Sequence, residues 1–466
     1  MATIPAPQTA LRAGEGKLST GLCLSYGVGT IAASILLNTV ATYFPAFMST
    51  VLGQSPVLAG LLLTVSKLYD VVVDITIGVR SDRKAGKGGR RRYLLAGALL
   101  GGIAFFLLFV PIVTHGIGLI MVLTLALLLY STGYSLFNVP YVAMAPSIAR
   151  GYDNRTQLMS YRTFFSSVGQ FVALAGAAAL VEFGGGGANG YAVMGGVLAM
   201  VVIGTQLATY VGTRNVVEHE VAPQPRVGIL EAARGLLRNT PGVLLICAKF
   251  LQYVSLACNI STGLLFKLNV LQIGYTGQIQ LSTTQNVTMA LSMPAWLWAG
   301  RRYGKRNCYL VAIALYAATM LSWLLTAKGI SLPSLLSRGV LQGIGAGGMI
   351  LMSMAMLPDV MDHDRALNGR PREGVYSSIY SIVEKLGFAV GPSLMGVYLT
   401  YTGYVATKHG ALVKQSPAAV RALYAGNAVI PAALLMGSFV IMWFYDLDRK
   451  RVRLSQAPAI DDVAGG

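Results

Sequence analysis

"GVRSDRKAGKGGRRR", residues 78–92, crowds seven Lys and Arg and one Asp into fifteen positions. It interrupts an apolar chain: residues 18–66 and 93–149 contain no Asp, Glu, Lys or Arg. A shorter counterpart, "GRRYGKRN", occupies residues 300–307. Both open on a glycine and run at once into basic residues. Each charge-free stretch is long enough for two bilayer crossings at ~20 residues per crossing. The first basic segment is then the turn between a second and a third crossing, and its counterpart sits at the same place in a second set.

Composition agrees with this. The chain has 466 residues, 54% hydrophobic and 12% charged, with a mean hydropathy of +0.60. Soluble domains carry about 25% charged residues, so the class is integral membrane. Twelve spans follow, at roughly 22–49, 54–79, 93–113, 119–147, 161–182, 191–212, 241–269, 276–299, 307–327, 331–357, 375–401 and 421–446. The fold class is therefore all-α, because lipid leaves unpaired backbone groups too costly for anything but helices here.

A net charge of +18 invites a nucleic-acid reading, but its distribution argues against one. Of 36 Lys and Arg, 26 fall in the termini and the even-numbered loops; only Lys328, Lys408, Lys414 and Arg421 fall in odd-numbered loops. That is the positive-inside bias. It predicts a multi-pass protein of the cell inner (plasma) membrane with both termini cytoplasmic, its surroundings a lipid bilayer and no nucleic acid among its partners. The first twenty residues are polar and rich in Pro, Ala and Gly, so no secretory leader is expected. Cys23, Cys247, Cys258 and Cys308 are scattered in or beside spans without a CxxC, which suits small apolar packing.

The spans divide into six and six. Residues 1–212 form a first bundle, 213–240 a cytoplasmic linker, and 241–466 a second bundle with its tail. Within the linker, "VGILEAARGLLRN" sets Ile229, Leu230, Leu236 and Leu237 beside Arg234 and Arg238, as a short helix lying on the membrane face would. Paired six-helix bundles with a repeated basic turn describe a major facilitator fold, whose site lies at the midplane between the halves.

"KLYDVVVDITIGVRSDR", residues 67–83, places charge inside a span. Asp70 and Asp74 are four residues apart and share a helix face, with Lys67 three residues earlier on the same side. One charge at the bilayer centre costs at least about 2.5–3.5 kcal/mol on insertion scales. Three on one face imply a polar cavity and mutual pairing. Such a cluster either locks helices together or binds a cation, for two nearby carboxylates can hold a metal ion or share a proton.

Five stretches resemble the glycoside–pentoside–hexuronide:cation symporters, the major facilitator branch that includes the melibiose carrier. They are "LSYGVG" (24–29), "KLYDVVVDITIGVRSDR" (67–83), "YSLFNVPYVAMAP" (134–146), "DNRTQLMSYRTFF" (153–165) and "MLPDVMDHDRALNGRPREGVYSSIYSIVEKLG" (356–387), in the family's order. The resemblance implies alternating-access symport of a glycoside, pentoside or uronide, driven by H⁺ or Na⁺, by a monomer with no cofactor and no catalytic activity. Animal relatives carry lysolipids, which keeps an amphiphile as the alternative substrate; a proton-coupled exporter and a non-transporting sensor are further ones. It gives Asp70 and Asp74 as cation-binding, with Ser135 as a surviving hydroxyl ligand and Asn138 where the family has an aspartate. Ser34 replaces another aspartate that holds the sugar, and Val73 replaces a sodium-ligating asparagine. Loss of these ligands favours a proton over sodium. Lys385 matches the family's lysine that reaches the acid cluster from span 11, with Ser381 one turn earlier. Glu384, beside it, points about 100° away and need not face the same cavity.

Further candidates around the substrate are Tyr26, Lys67, Tyr134, Asn138, Arg162, Gln170 and Gln252, though polar residues inside spans also join helices to one another. The basic turn itself is expected to be mechanical. Asp82 and Arg83 would form a cytoplasmic gate, matched in the second half by Asp359, Asp362, Arg370, Arg372 and Glu373.

Overall fold

A computed structural model describes residues 18–82, 89–113, 116–149, 152–214, 239–368, 373–410 and 413–447. Most of the 213–240 linker, with its expected surface helix, lies outside these residues. Twelve helical rods run through the described chain. The first six are α1 (Thr20–Thr50), α2 (Pro56–Asp82), α3 (Gly89–Phe109), α4 (Gly116–Ile148), α5 (Tyr152–Phe171, continued by a π turn at Val172–Gly176 and Ala177–Phe183) and α6 (Gly187–Gly212). The second six are α7 (Thr240–Phe266, with a π turn at Lys267–Leu271), α8 (Gly274–Tyr303), α9 (Lys305–Ser322, ending in a 3₁₀ turn at Trp323–Leu325), α10 (Leu332–Asn368), α11 (Glu373–Tyr401) and α12 (Pro417–Tyr424, a π turn at Ala425–Val429, then Ile430–Trp443).

Local chemistry sets several starts. Ser19 caps α1 by accepting from the Leu22 amide, Asn239 caps α7 through Gly242, and Ser416 caps α12 through Ala419. In the last two a proline follows within the first turn, where its missing N–H costs nothing. Among the described residues eleven helices are long and apolar enough to span a membrane. The twelfth rod, α8, is too polar to pass on composition, because Gln278, Gln280, Thr283, Thr284, Gln285 and Asn286 fill its middle.

The halves meet chiefly along α2 and α11, with α1 against α7 and α5 against α8. The α2–α11 crossing is close because glycine alone fits on each side. A Cβ on Gly60 would lie 2.3 Å from the Pro392 carbonyl oxygen, and one on Gly396 would lie 2.4 Å from that of Pro56. Towards the end opposite the basic turns, the halves are joined by backbone pairing. Thr407 N donates to Ser49 O (2.7 Å), His409 N to Val51 O (3.0 Å) and Gly410 N to Thr50 O (2.9 Å). Thr276 Oγ1 donates to Glu182 (2.5 Å), and the Val57 amide to Thr400 Oγ1 (3.1 Å).

Candidate functional site

The site is built on α2. A helix repeats every 3.6 residues, so Lys67, Asp70 and Asp74 make one stripe, turned toward α4 and α11. Lys67 Nζ lies 2.9 Å from Asp70 Oδ2 and over the Tyr130 ring of α4, 5.9 Å from its centroid. Asp70 is 2% exposed, and its Oδ1 has no hydrogen-bond partner. Asp74 is ion-paired with Lys385 of α11, and its other oxygen accepts from the Ser135 hydroxyl of α4. Asp74 and Lys385 therefore join the two halves, near the middle of α2 and α11. Tyr134 is buried beside them, within electrostatic reach of Lys67, Asp74 and Asp70.

Between this cluster and the shut end lies a cavity of only about 20 Å³, walled by Leu37, Leu63, Tyr130, Ile260 and Phe388, with Lys67 at its polar edge. That is room for roughly one water. Above it Thr64 donates across the interface to the Ala389 carbonyl and lies 2.6 Å from Ser393 Oγ. A solute cannot pass in this direction without parting α2 from α11.

The expected residues do not all converge. Lys67, Asp70, Asp74, Tyr134, Ser135 and Lys385 do. Asn138 lies three residues beyond Ser135 on α4, half-buried, and makes no side-chain hydrogen bond among the described residues. Ser381 is exposed one turn from Lys385. Gln170 is half-buried on α5. Ser34 is held by Ser166 of α5 (3.1 Å). Tyr26 is fully buried, stacked on Tyr141 with 4.4 Å between centroids, and donates to the Tyr141 carbonyl. Arg162 lies over Tyr141 at 5.9 Å, in the same first-half layer. Gln252 spends its carbonyl oxygen on Lys249 (2.9 Å) and Tyr309 (2.7 Å).

Of the expected gate, Arg83, Arg370 and Arg372 and the side chains of Asp82 and Glu373 lie outside the described residues. Asp359 pairs with Lys305 of the 300–307 basic turn at 2.6 Å, so this pair closes within the second half. Asp362 is half-buried on the same helix end.

Lys249 was not among the expected site residues. It is 2% exposed on α7, and residues 239–259 around it contain no Asp or Glu. Nothing local marks it; only its place inside a span does, since a buried ammonium at that depth demands partners.

A family described as MFS/sugar transport protein matches residues 25–449. The isoprimeverose transporter of Lactiplantibacillus pentosus is 24% identical over 441 residues, covering 91% of this chain and 88% of its own. The glucuronide carrier protein homolog of Escherichia coli (strain K12) is 26% identical over 445 residues, covering 94% of each chain. Among solved structures, a bacterial homolog of the human lysosomal transporter Spinster, inward-facing and unoccupied, superposes with a TM-score of 0.69 at 16% identity, over 94% of this chain and 98% of that one. That likeness concerns the fold.

Proposed function

Since the chain belongs to the MFS/sugar transport protein family, we propose that it carries a hydroxylated, sugar-like solute together with a proton by alternating access. The chain is a multi-pass membrane transporter of a small molecule. It works as a monomer in the inner membrane, both termini in the cytoplasm, and catalyses no covalent step.

One observation carries the reading: the Asp74–Lys385 ion pair across the halves, beside a second acid whose free oxygen is buried. Sodium needs several oxygens at once and an uncompensated negative field. Here two ammonium groups touch the two carboxylates, and Ser135 takes one more oxygen. A proton needs a single lone pair, and the orphaned Oδ1 of Asp70 offers one. Protonating either acid releases its lysine and weakens the contact between α2 and α11. The bundles can then rock about the bound solute. In this conformation the end opposite the basic turns is held together by backbone pairing between the halves.

Uptake into proteoliposomes tests this with isoprimeverose, methyl glucuronide and a lysophospholipid, the names of the relatives supplying the first two. An imposed pH gradient at trace sodium is expected to drive accumulation of a sugar. A strict sodium requirement, with no response to the pH gradient, contradicts proton coupling; transport of the lysophospholipid alone contradicts the sugar.

A further inference from the structure

Lys249 is a cation held where lipid-embedded proteins rarely keep one. Its ammonium donates to Gln252 Oε1 (2.9 Å) and Ser353 Oγ (3.2 Å). It sits over the Tyr253 ring at 4.5 Å and the Tyr380 ring at 5.7 Å, two rings set edge to face at 82°. Gln252 is itself fixed by Tyr309 (2.7 Å). Every contact is neutral. A buried ammonium with neutral partners alone is unfavourable, and a nearby carboxylate relieves the cost.

That carboxylate is Glu384. It lies on α11 one residue before Lys385 and one turn after Tyr380, on the helix that packs against both α2 and α7. Lys249 of α7, Lys385 of its own helix and Lys67 of α2 are within electrostatic reach of it. Yet it makes no ion pair and no hydrogen bond among the described residues. It is half-buried. Asp70 and Asp74 are each committed to a lysine, so Glu384 is the carboxylate of the central group whose oxygens are both uncommitted. No donor among the described residues occupies its oxygens, which leaves them as acceptors. Two carboxylate oxygens take paired donors well, and hydrogen bonds to a charged acceptor are the stronger kind. Neighbouring hydroxyls on a sugar ring are such a donor pair.

We propose that Glu384 is a substrate-binding carboxylate of the second half, accepting hydrogen bonds from adjacent sugar hydroxyls, and that Lys249 is a positioning residue whose buried ammonium balances it. This deepens the transport reading and rests on it. The role differs from that of Asp70 and Asp74: Glu384 holds the solute, whereas those acids carry the proton.

The test is sugar counterflow and pH-driven accumulation in proteoliposomes, with isoprimeverose and methyl glucuronide as probes. Glu384→Gln keeps the shape and removes the charge. It is expected to raise the half-saturating sugar concentration roughly tenfold or more, while accumulation at saturating sugar still follows the pH gradient. Lys249→Met is expected to raise half-saturation in the same direction, and Lys249→Arg to restore part of it. Should Glu384→Gln fail to insert, Glu384→Asp, which withdraws the carboxylate by one carbon, must show the same rise. Wild-type half-saturation in the inserted variant overturns the proposal, as does loss of pH-driven accumulation with half-saturation unchanged. A wild-type protein that moves neither sugar sinks the transport reading itself, and this proposal with it.

Discussion

At Asp74 one carboxylate faces a lysine from the other half and a serine from α4. Removing one partner of a buried charge pair is more damaging than never having had the pair, because the remaining charge is stranded. Asp74→Asn and Asp70→Asn are therefore expected to abolish uphill accumulation while the protein still inserts, and downhill exchange is expected to persist in at least one of them. Wild-type accumulation in both would make the acids structural. The spacing of Lys67, Asp70 and Asp74 made this cluster legible in the sequence, since charge inside a span has to be paired. Lys385 was legible only through the family resemblance. Lys249 and the part played by Glu384 were not, because their partners come from α7, α10 and α11, more than a hundred residues apart for Lys249 and Ser353. Tyr26 and Gln252 show the opposite limit. A polar residue inside a span looks the same in sequence whether it faces a solute or, as here, a neighbouring helix.

Apolar runs mark the helices in the sequence, and the rods run longer than those runs. α5 begins at Tyr152 rather than near 161, and α10 continues to Asn368 rather than ending near 357, because charged and polar turns extend both into the aqueous layer. The π turns in α5, α7 and α12 leave no hydropathy trace, and no composition rule marks them. The crossing of α2 and α11 depends on bare backbone at Gly60 and Gly396. Gly60→Val puts atoms where the Pro392 carbonyl already lies. We expect it to destabilise the protein by about 1–3 kcal/mol, seen as a lowered melting temperature in detergent and as weakened transport. A variant as stable and as active as wild type would mean that the two helices do not need this contact.

Across the whole molecule, the arrangement of two six-helix sets was readable from apolar runs and charge placement together, since the runs give the spans and the repeated basic turn pairs the halves. Which end is shut was not readable, because the seal is largely backbone pairing between residues 49–51 and 407–410. A cysteine at position 185 is expected to react with an impermeant thiol reagent added outside, and one at position 87 to be protected; the reverse would invert the topology. Leu52 and Lys408 face each other in an antiparallel bridge at the shut end. A disulfide between cysteines at these positions is expected to stop uptake, and a reductant to restore it. Undiminished uptake in the oxidised pair would show that these loops do not separate during transport.

The central claim is that solute and proton move together through Asp70 and Asp74. Its most direct measurement is the external pH of lightly buffered vesicles at trace sodium when the transported sugar is added. Wild-type protein is expected to alkalinise the medium as sugar enters, and Asp70→Asn and Asp74→Asn are expected not to. Sugar entry without proton movement, or proton movement intact in both variants, would contradict the account.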